Sequence, residues 1–285
     1  MRLCLNRVTL AENTSPALFL RAAHAAGFGL VEMSARRLAE ALQADDGVRD
    51  LLGPGGVVPI HGGWSIRSHW QEAAFRAALP IVAREMEFVA ALGSRSGALV
   101  LPRPDLGGPA APGRTVLVDR IRRVCDLAAD RGLNVVVEFI GLHPHRLTDA
   151  ALGDQAPCRT LADALDIVAR VERPNAGILI DTFHWHASGA TPADLAQVPA
   201  EMPLVVHLND APPIPAAALD DSQRLLPGHG VIDLMGLLGA LHARGYTGPL
   251  SIELKNPHLH AMAPVRAAEY AWKAAMTVLR RAGLT

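Results

Sequence analysis

Four short apolar runs in this 285-residue sequence each end in a residue that can hold a cation or move a proton. Val135-Val136-Val137 ends in Glu138, Ile178-Leu179-Ile180 in Asp181, Leu204-Val205-Val206 in His207 and Leu250-Ser251-Ile252 in Glu253. One polar residue ending a strand is ordinarily a loop-facing group. Four are harder to dismiss, because three carboxylates gathered at one mouth would repel one another and lose hydration unless a cation neutralised them. Three carboxylates with one imidazole suit a hard or borderline divalent ion, Mn²⁺, Mg²⁺, Co²⁺ or Zn²⁺. Glu138, Asp181, His207 and Glu253 are therefore the candidate ligands of one divalent metal ion. His184 follows Asp181 by three residues, and Asp210 follows His207 by three, placed to orient that ring or to bond a substrate hydroxyl. His61 ends an earlier apolar run beside Gly62-Gly63-Trp64 and is a further candidate for lining the pocket. Arg224 precedes the turn-forming stretch Leu225-Leu226-Pro227-Gly228-His229-Gly230, and on spacing alone reads as a surface arginine.

Residues so far apart in sequence meet only if strands deliver them to a common face. Eight apolar runs qualify, at 3–6, 30–33, 57–61, 98–102, 135–139, 178–181, 204–208 and 250–254. They alternate with stretches of helical period at 15–26, 35–43, 68–92, 115–131, 160–170, 192–197, 233–244 and 264–282, the pattern of repeated strand-helix units around a parallel sheet. Ser15-Pro16 has the form of a helix start, while Gly27, Gly93, Gly132 and Gly245 sit just past helix ends, where a left-handed residue is needed. Eight units in one chain of this size predict an α/β fold, a (β/α)8 TIM barrel with residues 1–285 as a single domain. A doubly wound nucleotide-binding sheet is disfavoured, since Gly53-Pro54-Gly55-Gly56 precedes a strand instead of joining a strand to a helix. In a sheet covered on both faces strands read as unbroken apolar runs, so the four polar endings mark the carboxyl-terminal face, where active sites of such barrels lie.

Composition narrows the partners. A net charge of -1 and 4% aromatic residues give no footprint for nucleic acid, and no run approaches the ~20 apolar residues of a membrane span. Cys4, Cys125 and Cys158 are too few and too scattered for a disulfide framework and suit a reducing cytoplasm. The opening Met1-Arg2-Leu3-Cys4-Leu5-Asn6 lacks the apolar core of a signal peptide. The expected partner is a small molecule. No cluster of lysine or arginine is evident at the strand ends, which points to an unphosphorylated substrate. Barrels of this kind often pair into homo-oligomers, though no residue pattern here marks the oligomeric state.

The stretches Val137-Glu138-Phe139-Ile140-Gly141, Leu179-Ile180-Asp181-Thr182-Phe183-His184-Trp185-His186, Val206-His207-Leu208-Asn209-Asp210, Arg224 to Asp233 and Ser251-Ile252-Glu253-Leu254 resemble the xylose-isomerase-like TIM-barrel superfamily of sugar phosphate isomerases and epimerases. Within it the likeness is to the inosose (2-keto-myo-inositol) isomerase branch. The resemblance implies metal binding by Glu138, Asp181, His207 and Glu253, and substrate contact by His184 and Arg224. It implies a metal-dependent isomerase or epimerase of a keto-sugar or keto-cyclitol, acting through an enediolate with Glu138 and Glu253 as the acid/base pair. A lyase that expels a β-hydroxyl, or cleaves a keto-glycoside, shares the first step and is the alternative. An apurinic-endonuclease-like hydrolase would need a basic groove. Three departures from the inosose isomerase pattern bear on the substrate and not on the metal: a long segment over 142–158, which alters the pocket rim, Arg7 after Asn6, and His229 inside the Pro-Gly-x-Gly turn.

Overall fold

Strands β1 (Arg2–Asn6), β2 (Leu30–Met33), β3 (Val58–His61), β4 (Ser96–Val100), β5 (Asn134–Glu138), β6 (Ala176–Asp181), β7 (Leu204–Leu208) and β8 (Pro249–Ile252) form a closed parallel barrel in sequence order in a computed structural model of the chain. Its described residues are 1–52, 58–61 (backbone), 63–68, 71–102, 113–143 and 158–284. β8 closes on β1 through pairs such as Leu3 with Leu250. The connections carry α1 (Pro16–Ala26), α2 (Ala35–Ala44), α3 (Glu72–Ala91), α4 (Arg114–Ala129), α5 (Leu161–Val171), α6 (Thr182–Ala187), α7 (Leu234–Ala243), α8 (Pro257–His260) and α9 (Pro264–Arg281).

Local chemistry sets these boundaries. Ser15 caps α1 by accepting a hydrogen bond from the Leu18 amide at 3.2 Å, with Pro16 in the first turn, and Gly27 ends the helix at φ 95°. Thr160 and Asp163 cap α5 reciprocally. The expected helix over 192–197 is a 3-10 helix instead, a six-residue piece opened by Pro192. The helical turn between β6 and β7 comes earlier, at α6. Asp181 makes it by accepting from the amides of Phe183 (2.8 Å) and His184 (3.2 Å), so one side chain ends the strand and starts the helix.

The strands' alternation decides what enters the barrel. Outward residues such as Val135, Val137, Ile178, Ile180, Val206 and Ile252 belong to the large core shared with the surrounding helices. Ala98, Val136, Leu179 and Val205 form a separate small cluster. Period two along each strand then places Glu138 above Val136, Asp181 above Leu179 and His207 above Val205, all toward the lumen. The register pairs Asp181 directly with His207. An apolar floor thus carries a polar layer at the carboxyl-terminal mouth. Among the described residues no helix is long and apolar enough to cross a membrane.

Candidate metal centre

Each candidate ligand arrives from a strand end: Glu138 from β5, Asp181 from β6, His207 from β7 and Glu253 one residue past β8. One donor atom from each lies within 4.8 Å of the other three. Around an ion with bonds of about 2.0–2.2 Å, opposite ligands stand at most ~4.4 Å apart, so closure needs only a few tenths of an ångström. Three oxygens and one imidazole nitrogen fit a divalent cation of the kind the sequence suggests.

The four groups sit in unequal fields. Burial pushes the Glu138 carboxyl up to about 8, and the negative charges of Glu253 and Asp181 add to the effect. Burial also opposes ionisation of Asp181, but Arg224 and His207 outweigh it and hold that carboxyl well below the usual range. Glu253 is likewise lowered against its own burial by Arg224 and His207. His207 is raised, because Glu32 and Glu253 favour the charged ring more than burial disfavours it.

Glu32 was not anticipated. It is buried in β2, and its Oε1 lies 3.0 Å from His207 Nε2 while Ser251 donates to its other oxygen. A carboxylate accepting from Nε2 leaves Nδ1 turned toward Glu253 (3.2 Å) and Asp181 (3.7 Å), the orientation a ligating histidine needs. Asn209 is a second unanticipated member: its amide nitrogen donates to both Asp181 oxygens, at 3.1 and 3.2 Å, and to the Glu253 carbonyl at 3.3 Å. Thr9 grips the other side of Glu253, donating to the Ile252 carbonyl at 2.6 Å and accepting from the Leu254 amide at 3.1 Å.

Arg224 is fully buried, against the surface reading from its spacing. Its Nη1 donates to Asp181 Oδ2 (2.5 Å) and Glu253 Oε2 (2.7 Å), and Nη2 donates to Asp221 (2.8 Å) and to His184 Nε2 (3.2 Å). Three carboxylates hold this guanidinium in place, and it sets charge among them. Asp221, held down to about 2 by Arg224 and Lys255 against its burial, completes this network and was also unanticipated. His184 is brought in as expected. Burial lowers its pKa to about 4, Nε2 accepts from Arg224, and Nδ1 is buried with no hydrogen-bond partner among the described residues. Gly141 lets this packing happen, because a Cβ there would overlap the His184 carbonyl.

Asp210 corrects the sequence reading. One of its oxygens accepts from the Gly228 and Gly230 amides (3.0 and 2.9 Å), the other from Ala211 and Ile232 (both 2.9 Å), so it fastens the turn after Arg224 and has no oxygen left for a substrate hydroxyl. His229 lies exposed on that turn, bordering a cleft with Tyr270, Lys273 and Arg281 of α9 and not the ligand cluster. Arg7 is buried, donating to the carbonyls of Leu10, Ala11, Glu12 and Thr14. It shapes the loop after β1. The His61 side chain, and residues 144–157 of the long segment, lie outside the described residues.

A family profile described as xylose isomerase-like TIM barrel matches residues 20–282. The inosose isomerase of Halalkalibacterium halodurans is 33% identical over 155 residues, 52% of this chain and 51% of that protein. The 3-dehydroshikimate dehydratase of Pseudomonas aeruginosa is 35% identical over 164 residues, 57% of this chain and 23% of that protein. A crystal structure of the IOLI protein with a bound zinc atom superposes with a TM-score of 0.82 over 99% of both chains at 24% identity, a likeness of fold. The chain spans about half the length of the inosose isomerases it matches.

Proposed function

Because the chain belongs to the xylose isomerase-like TIM-barrel family, we propose that it is a divalent-metal-dependent isomerase or epimerase of a keto-sugar or keto-cyclitol of the inosose type, with residues 1–285 working as one catalytic unit. The observation that carries this reading is the convergence of Glu138, Asp181, His207 and Glu253 within 4.8 Å at the mouth. These four would hold Mn²⁺, Zn²⁺, Mg²⁺ or Co²⁺. When bound, the cation supplies Lewis acidity that polarises a ketone and steadies the negative charge left when a neighbouring proton departs, an effect on the order of several kcal/mol.

The protein's own groups do the rest. Glu253, kept ionised by Arg224 and His207, takes the proton from the carbon beside the carbonyl. Glu138, three strands round the barrel from Glu253, returns a proton. His184 stays neutral, and with Nε2 accepting from Arg224 its Nδ1 carries the hydrogen and donates to a substrate oxygen. Arg224 contributes a positive charge beside the reacting carbon that burial keeps unscreened.

A lyase ending is the second reading, favoured by the likeness to a dehydratase. It begins with the same proton abstraction and ends with expulsion of a β-hydroxyl. Incubating metal-loaded protein with inosose in deuterated water tests the proposal: an isomerase leaves the substrate's mass changed only by exchanged deuterium, a dehydratase releases water, and absence of both exchange and water loss overturns the proton-transfer mechanism for this substrate.

Two expected results follow from the ligand set. Glu32→Gln removes the charge that orients His207, and should weaken metal affinity about 10–100-fold in chelator competition. Unaltered affinity would relieve Glu32 of that role. Metal uptake should also displace protons, since Glu138 titrates near 8 and His207 is raised. Apparent affinity should then rise about tenfold per pH unit for each proton released as pH increases toward 8. Calorimetry in buffers of different ionisation enthalpy reads the proton count directly, and an affinity independent of pH between about 6 and 8 would contradict it.

A further inference from the structure

Beside the ligand cluster, on the side of β1 to β3, the mouth opens into a cavity of about 470 Å³. Glu32 forms part of its lining and touches His207 at 3.0 Å, so the cavity is one side chain from a candidate metal ligand. Four arginines border it: Arg7, Arg36, Arg37 and Arg67. Glu32, the one carboxylate of the lining among the described residues, is already engaged by His207 and Ser251.

The arginines differ in what holds them. Arg36 pairs with Glu40 along α2. Arg7 is buried, and its two Nη groups are held by the carbonyls of Leu10, Ala11, Glu12 and Thr14. The guanidinium groups of Arg37 and Arg67 meet no carboxylate among the described residues. Arg37 lies in the first turn of α2, whose N-cap Ser34 also lines the cavity, so the positive end of the helix adds to the same field. Arg37 raises the energy of the Arg7 cation, whose burial already disfavours its charge. An anion entering the cavity offsets that repulsion.

We propose that this cavity binds an anionic substituent of the substrate, a carboxylate or a phosphate, while the ketone lies at the metal cluster. The inference rests on the proposed metal-dependent ketone chemistry for the other end of the substrate. Arg7 follows β1 directly, Arg36 and Arg37 come from α2 and Arg67 from the segment after β3, so a cationic group forms at the mouth without a run of basic residues at any one strand end.

Titrating the metal-loaded full chain with inorganic phosphate and with cyclohexanecarboxylate, and with cyclohexanol as the uncharged control, tests the assignment by calorimetry. At least one anion should bind, weaken with added salt, and lose about ten- to a hundredfold in affinity in the double variant Arg37→Gln/Arg67→Gln with metal content retained. Binding of phosphate alone or of the carboxylate alone identifies which group the cavity takes. Neither anion binding, or binding undiminished in the double variant and therefore directed at the metal, overturns the proposal. Failure of the two readings is separable: solvent exchange on neutral inosose without anion binding sinks only the cavity, while arginine-dependent anion binding without exchange on any ketone sinks only the catalytic reading.

Discussion

Asp181→Ala is expected to yield protein without bound metal, inactive in solvent exchange and less stable by about 3–5 kcal/mol, the usual loss when one partner of a buried ion pair is removed. Three functions meet in that carboxylate. One oxygen caps α6 through the Phe183 and His184 amides, and removing a cap alone costs about 0.5–2 kcal/mol. The other oxygen receives Arg224 at 2.5 Å. Arg224 keeps Glu253 and Asp221 as partners, which places the loss toward the lower end of the range. Asp181→Asn separates the roles. It retains the cap acceptor and the shape but not the charge, so its melting temperature should lie between wild type and Asp181→Ala while its metal content falls as far. Elemental analysis decides: full occupancy in both variants would remove Asp181 from the ligand set, whatever happens to stability.

The barrel was legible because its strands are simple. A parallel strand covered on both faces needs apolar residues throughout, so each of the eight runs stands out against the Ala- and Arg-rich helices, and each polar terminus stands out against its run. Glu138, Asp181 and His207 fall on the lumen side for the same reason that Val136, Leu179 and Val205 do, two residues earlier on the same strands. What stayed hidden depends on three-dimensional pairing. Glu32 interrupts Leu30-Val31-Glu32-Met33 one residue before its end, a polar position inside a strand that could have been noticed; its partner His207 is 175 residues away. Asn209 and Asp221 act by hydrogen bonds to ligands and to Arg224, and neither type nor spacing distinguishes them from loop residues. Asp210 misled because a carboxylate three residues from a candidate histidine looks chemical, whereas its four backbone amides lie 1, 18, 20 and 22 residues away.

The sharpest test of the chemistry is Glu253→Gln, which should lower the rate of α-hydrogen exchange by about 10²–10⁴, the usual contribution of a positioned general base. Glutamine keeps the length and one oxygen of the side chain but cannot accept the proton. Since Glu253 is also a candidate ligand, metal content must be measured on the same sample, and exchange compared at saturating metal. Retained metal with lost exchange assigns the base role; retained metal with unchanged exchange would move it to Glu138. The pH profile gives a second handle. Arg224 and His207 hold the Glu253 pKa below its ordinary 4.5 against the pull of burial, so the acid limb due to the base should lie below that value. A separate limb nearer neutrality should report protons competing with metal at Glu138 and His207, and it should recede when metal is raised to excess, which a limb belonging to the base would not do. In the metal-free protein two groups oppose each other: the raised Glu138 costs stability as pH rises from 4.5 through about 8, while buried His184, lowered to about 4, returns it between 4 and 6.5, so chelated protein should lose stability mainly from about 6.5 to 8 while metal-loaded protein resists the loss.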